Sequence, residues 1–359
     1  MISLREGRPS DGMTFSPVGA VGSQIGPRSN TGQKSALPTH GALVDFLTVV
    51  FSQDRLAERG FTRISLLLPG IFGLRPSDVR AGELHAKRWQ FYKASAVIVD
   101  SEGELVGRIG CEGNGDTVCV SLSGAACKFI RTRDEWRRVR MQIEACGGRI
   151  SRCDVAYDDY DGLMGTVREL EAKARETLTE SGGCLLFANG GTPPKTKFLD
   201  DHGGGSGCTL YVGQKGHKQL CVYEKGKQLG VTDSPWTRYE ARLYGKHCEV
   251  PTDILTEPMK YLRGSYGYME LLLAKVCEGI ACAIEYTKRA VEATGTAMQR
   301  WSKRQWGKSA WLLIQVFGVE GFARYASEVI AREGVPARFK KLGKASAIVN
   351  QLRAELCPS

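Results

Sequence analysis

Residues able to do chemistry fall in three short alternating runs. In 149–159, RISRCDVAYDD, Asp154 and Asp158 share one side with Arg152 and Ala156, while Cys153, Val155 and Tyr157 take the other. Four residues of strand put the two acids about 13 Å apart, too far for one compact ion to take both from a straight strand. Asp154, in mid-strand, is the better metal ligand; Asp158, nearer the end, is placed to serve a loop. In 236–244, WTRYEARLY, Glu240 stands between Arg238 and Arg242 on one face, opposite Tyr239, Ala241 and Leu243. One such strand is ordinary. Two with their polar sides together make a surface that can hold a divalent cation and a phosphate at once. In 221–226, CVYEKG, Tyr223 and Lys225 share a strand face. A phenol with a pKa of about 10 is a poor nucleophile until a cation or metal stabilises its phenolate, and Lys225 is such a cation. Tyr211, in TLYVG, is a second candidate phenol. The plainer alternatives are solvated strand faces of alternating charge, a tyrosine closing a sheet edge and a lysine facing water.

The five histidines are His40, His85, His202, His217 and His247, and no two form a His-x-His pair. A cation here would therefore take oxygen ligands, which suit Mg²⁺ or Mn²⁺ over zinc. The twelve cysteines are scattered without a CxxC pair. They read as reduced, small hydrophobes rather than as a zinc site.

The elements that must position these residues follow from patterning. Ala42–Phe51, ALVDFLTVVF, is apolar and β-branched and predicts a buried strand. Residues 88–130 predict a meander, broken at Asp100–Gly103 and at Gly113–Asp116, where Asn114-Gly115 favours a hairpin. A helix capped by Thr132 follows, with Asp134 and Glu135 in its first turn and Gly147-Gly148 at its end. A second helix is expected over 163–177. Strands are expected near 183–189, 208–214, 219–225 and 236–244, with 190–207 as a loop. After Thr252 the pattern is helical, with a break at Gly334–Pro336. The expected fold class is α+β. A disordered tail over 1–38 leads into a domain with a central antiparallel sheet and flanking helices over 39–250, followed by a basic, mostly helical segment over 251–359. No internal repeat and no Walker or dinucleotide glycine motif occurs.

Lys and Arg number 49 against 39 Asp and Glu, a formal net charge of +10, which favours a polyanionic partner. Basic residues concentrate from Lys288 to Arg353, interleaved with Trp301, Trp306, Trp311 and Phe339. That mixture suits phosphate contacts with aromatic packing, or equally a solvated helical face over an apolar stripe. No run of about eighteen apolar residues is present, so no spanning helix is expected. The start lacks a secretory pattern, so a cytoplasmic location is expected and no membrane partner.

The ordered motifs VDFL, RCDVAYDDYDG, TLYVG, VYEKGKQLG and RYEARL resemble replication initiation factors of the Rep_trans type, found in rolling-circle plasmids, conjugative elements and filamentous phages. The likeness covers about residues 40–250, and VSLSGAACKFI over 120–130 is similar to the phage branch. The resemblance implies an enzyme that nicks one DNA strand at an origin, leaving a tyrosine on the 5′ phosphate and a free 3′ hydroxyl as primer. It implies help from Mg²⁺ or Mn²⁺. Tyr223 matches the family's nucleophile, Asp154 and Glu240 its acids, and Asp45, in VDFL, another recurrent acid. Arg152, Arg238 and Arg242 are then candidates for phosphate contact, and a single-stranded or extruded origin, a host helicase and a polymerase are the expected partners in a bacterial host. Many relatives carry an arginine two residues before the tyrosine, where this chain has Cys221. The same scaffold could instead serve a non-catalytic DNA-binding regulator or a conjugative relaxase.

Overall fold

Leu43–Ser52 forms a ten-residue strand, β1, at the centre of the sheet. Its β-branched and aromatic residues can be buried on both faces, as a central strand requires. In the computed structural model, residues 41–246, 248–274 and 295–331 are described. The tail expected over 1–38, His40, His247, Phe339 and the break expected at Gly334–Pro336 lie outside them.

Nine further strands complete one sheet. They are β2 (Val79–Ala81), β3 (Ala94–Asp100), β4 (Leu105–Cys111), β5 (Thr117–Ser123), β6 (Arg149–Asp159), β7 (Thr196–Leu199), β8 (Thr209–Gly213), β9 (Lys218–Glu224) and β10 (Thr237–Tyr244). Their order is β2-β3-β4-β5-β1-β6-β10-β9-β8-β7, and every neighbouring pair is antiparallel. The order contains a repeat that the amino-acid pattern does not display. Each half begins with one strand, crosses through helices and returns over four strands, the last of which lies beside the first. The two opening strands, β1 and β6, pair at the centre. The expected α+β class is the class observed.

The α-helices described up to residue 274 are α1 (Gln53–Glu58), α2 (Leu67–Phe72), α3 (Gly124–Cys127), α4 (Arg133–Ala145), α5 (Val167–Glu176), α6 (Lys225–Gln228), α7 (Pro258–Arg263) and α8 (Gly267–Leu273). Thr132 and Glu135 form a capping box on α4, as the sequence predicts. Helix α5 starts at Val167 rather than 163, because Thr166 and Glu169 form a second capping box and Asp159 holds the amides of Leu163 and Met164 at 3.0 and 2.8 Å. Residues 183–189 are not a strand: Leu185–Phe187 make a 3₁₀ turn that buries Phe187. The loop expected over 190–207 contains β7, a short edge strand with exposed alternate residues. Its polarity and its flanking Pro and Gly conceal it, as edge strands commonly are.

One face of the sheet supplies the core. Leu47 and Val49 of β1, Val120 and Leu122 of β5, Cys153 and Val155 of β6, and Ala241 and Leu243 of β10 join buried residues of seven helices in one apolar cluster. Among the described residues nine cysteines are free and buried. By internal contacts the chain divides into units at Tyr286/Thr287. Helix α7 packs on β6 and β1 within the first unit, whereas the sequence pattern groups residues 251 onwards with the helical segment. The second unit holds α9 (Gly295–Tyr325), broken at Gly318 where φ is 71°. No described helix is long and apolar enough to cross a membrane.

Candidate functional site

The other face is polar and, over β6, β10 and β9, buried as well. In the β6–β10 ladder Arg238 stands opposite Asp158, Glu240 opposite Ala156 and Arg242 opposite Asp154. On the other flank Arg238 meets Tyr223, Glu240 meets Cys221 and Arg242 meets Gln219. The alternation in the three runs thus turns their polar residues to one side, where they form rows two residues apart. Asp154, Glu240 and Tyr223 keep only 2, 4 and 8% of their accessible surface. These strand faces are not solvated ones.

Each acid is met by an arginine. Arg238, with no exposed surface, donates from Nε and Nη2 to Asp158 at 2.7 and 2.6 Å and from Nη1 to Asp45 at 3.0 Å. Asp45 reaches it because β1 slips register against β6 between Val44 and Phe46. A bulge of this kind re-aims a side chain. Trp236 Nε1 also donates to Asp158, at 2.7 Å. Asp158 therefore serves Arg238, and it is Asp159 that serves the following loop. Arg152 donates from Nε and Nη2 to Asp154 at 2.9 and 2.5 Å, and Arg242 Nε donates to Glu240 Oε1 at 2.6 Å. The side chains of Arg152 and Arg242 retain 22% exposure each, so these two guanidiniums can still meet a ligand.

Tyr223 donates to Glu240 Oε2 at 3.4 Å. Lys225 is not on the strand. The strand ends at Glu224, Lys225 opens the one-turn helix α6, and its ammonium lies 5.6 Å from the Tyr223 ring. Burial, and then the charge of Arg238, push the Lys225 pKa down to about 8. Tyr211 lies on β8 opposite Cys221 with its ring 6.0 Å from the Arg242 guanidinium, and burial raises its pKa. Tyr239 is buried in the core on the opposite face, as expected. His217 lines a cavity of about 290 Å³ with Lys218, Asn189 and Tyr266 at the β8–β9 turn.

Asp154 and Glu240, the two acids expected to hold a hard cation, lie on the same face, each held by an arginine. Burial lifts the Asp154 pKa to about 6 against the pull of Arg152, and the Glu240 charge adds to that rise, so the two carboxylates sense one another. A divalent ion relieves such repulsion. Asp45 is drawn aside onto Arg238. Among the described residues, the acids and cysteines whose ligand atoms lie within 4.8 Å of one another are Asp200, Asp201 and Cys208, a group the sequence reading did not single out. Arg168 and the backbone amides of His202, Gly203 and Gly207 already occupy its carboxylates, which close a turn. The Arg238 hub was also unforeseen. Its signal was Asp158, spaced to meet it across the ladder.

The face therefore sets a phenol among arginine-paired carboxylates on an antiparallel sheet. A family model described as replication initiation factor matches residues 148–330, beginning one residue before β6 and spanning the strands that build this face. The chain belongs to the replication initiation factor family. Among solved structures it is similar to a rolling circle replication initiator protein from Geobacillus stearothermophilus, at 23% identity over 62% of this chain and 82% of that one, with a TM-score of 0.44. No curated protein matches the chain.

Proposed function

We propose that the protein initiates rolling-circle replication by nicking one DNA strand at an origin through tyrosine transesterification, in the cytoplasm of a bacterial host. The observation that carries this reading is the placing of the Tyr223 hydroxyl 3.4 Å from Glu240 Oε2 on the face that also bears Asp154.

Glu240 accepts the phenol's hydrogen bond and orients its oxygen. Lys225 lies near enough to stabilise the phenolate, and its lowered pKa makes proton exchange easy near neutrality. The Tyr223 oxygen forms a bond to phosphorus as the bond from phosphorus to the 3′ oxygen breaks. The phenolic proton ends on that oxygen, giving a 3′ hydroxyl and a 5′ phosphotyrosine. The ester exchange keeps the bond energy, so the break can be resealed without ATP. Asp154 and Glu240 would hold Mg²⁺ or Mn²⁺, which supplies charge neutralisation at a non-bridging phosphate oxygen. Arg152 and Arg242 keep enough exposure to take flanking phosphates. Arg238 acts on the site by fixing Asp45 and Asp158. The basic stretch after Lys288 is assigned to duplex origin contact, and helicase and polymerase follow the nick.

The test is incubation of supercoiled origin plasmid with Mn²⁺ and the parent or Tyr223→Phe protein. The parent yields open circles and an SDS-resistant adduct, and the variant yields neither. An unchanged adduct in the variant overturns the assignment.

A further inference from the structure

Along the same face, three rows from Tyr223, the Arg152 guanidinium lies 4.2 Å from the Phe46 ring centre and 5.3 Å from that of Tyr244. All three side chains are half-buried. The row continues from Arg152 to Thr48, then to Ser121, then to Arg108 on β4. Thr48 and Ser121 join their hydroxyls at 3.0 Å, which makes a low polar floor between two cations. The seven helices whose buried residues join the apolar cluster take the opposite face.

The Tyr244 hydroxyl is closed to solvent and, among the described residues, is a buried side-chain polar atom without a hydrogen-bond partner. Native proteins rarely leave such a group unmatched, because phenylalanine would fill the same space without the cost. A hydroxyl kept under that penalty points to an acceptor that arrives with a ligand.

We propose that Phe46, Arg152 and Tyr244 form a subsite for a nucleotide of single-stranded DNA. A base stacks on the rings. Arg152 keeps Asp154 with Nε and Nη2 and offers its Nη1 to a phosphate, and the Tyr244 hydroxyl donates to an oxygen of the same strand. Aromatic rings and arginine planes on an open sheet bind unpaired bases in this way, whereas a duplex hides the faces of its bases. The inference rests on the DNA reading above. It adds which residues take an unpaired nucleotide and where the strand passes relative to Tyr223.

The experiment is fluorescence anisotropy of labelled single-stranded and duplex oligonucleotides of one sequence, with the full chain and no divalent cation, alongside thermal unfolding. Tyr244→Phe should unfold at the same temperature or higher and bind single strands about 5-fold more weakly, with duplex affinity unchanged. Phe46→Leu should lose about 10-fold for single strands. Single-strand affinity equal to the parent's in Tyr244→Phe overturns the subsite. So does an equal loss for single strands and duplex, or a loss that accompanies a lowered unfolding temperature. The adduct assay on the same samples keeps the two readings apart. An adduct formed by Tyr244→Phe with unaltered affinity removes the subsite and leaves the nicking reading. Selective loss of single-strand affinity in a protein whose parent forms no adduct supports the subsite and removes the nicking reading.

Discussion

Arg238 and Asp158 face one another across the β6–β10 ladder in a two-pronged ion pair, Nε to Oδ1 at 2.7 Å and Nη2 to Oδ2 at 2.6 Å, with Arg238 sealed from solvent. The remaining prong holds Asp45 across β6. Removing the guanidinium would leave two buried carboxylates uncompensated. Arg238→Met is expected to cost about 3–5 kcal/mol in denaturant unfolding. Arg238→Lys should recover only part of that, because an ammonium cannot repeat the fork. If Arg238 instead served mainly to grip DNA, Arg238→Met would weaken binding at unchanged stability.

Asp154 and Glu240 are each compensated by an arginine that keeps some exposure. A divalent ion that binds the folded state alone must stabilise it by mass action, by about 2.7 kcal/mol at a hundred times its dissociation constant. Mn²⁺ is therefore expected to raise the unfolding temperature of the parent protein. The shift should vanish in Asp154→Asn/Glu240→Gln and persist in Tyr223→Phe. A shift that survives the double substitution would move the ion elsewhere, and Asp200, Asp201 and Cys208 would be the next group to alter.

Lys225 gives a pH dependence with a definite sign. Burial, with Arg238 adding to it, lowers its folded pKa to about 8 from the ordinary 10.5. Between those values the unfolded chain binds the extra proton, so this group's contribution to stability rises with pH. Below pH 8 the folded protein carries a buried ammonium at a cost. Lys225→Met should thus be more stable than the parent at pH 7, with the gain shrinking by pH 10, while the Tyr223 adduct is lost at both. A constant gain across that range would mean that Lys225 is not desolvated.

The polar faces of β6, β9 and β10 were legible in the sequence because strand side chains alternate strictly, but it is the register of the ladders that brings Asp154, Glu240 and Tyr223 to one side. The pairing order was not legible, and neither was the repeat of topology. Those are set by packing between segments far apart in the chain. Asp45 shows the limit well. Its place in VDFL suggests an acid, but only a register slip against β6 turns it to Arg238, and no local pattern announces a bulge. Strand β7 and the 3₁₀ turn at Leu185–Phe187 were missed for a related reason. Both are short, and their neighbours decide their form.

Gly226 explains one letter of the VYEKG run. It lies in α6, immediately after Lys225, and a Cβ built there would come 2.0 Å from Ser234 Oγ and 2.3 Å from Ser234 Cβ. Its amide donates to the carbonyl of Trp236 at 3.2 Å, so the turn carrying Lys225 and the approach to β10 are pressed together. In a helix alanine normally exceeds glycine in stability by up to about 1 kcal/mol. Here the clash decides the sign. Gly226→Ala must push Ser234 away and with it Trp236, whose indole holds Asp158 and lies 4.8 Å from the Tyr160 ring. The expected cost is about 1–3 kcal/mol, with a fall in nicking that persists at temperatures where the variant is fully folded. Ser234→Gly removes both offending atoms, so the double variant Gly226→Ala/Ser234→Gly should regain most of the activity and stability lost by Gly226→Ala. Strict additivity of the two substitutions would show that Gly226 is needed for its backbone freedom and not for the close approach of Ser234.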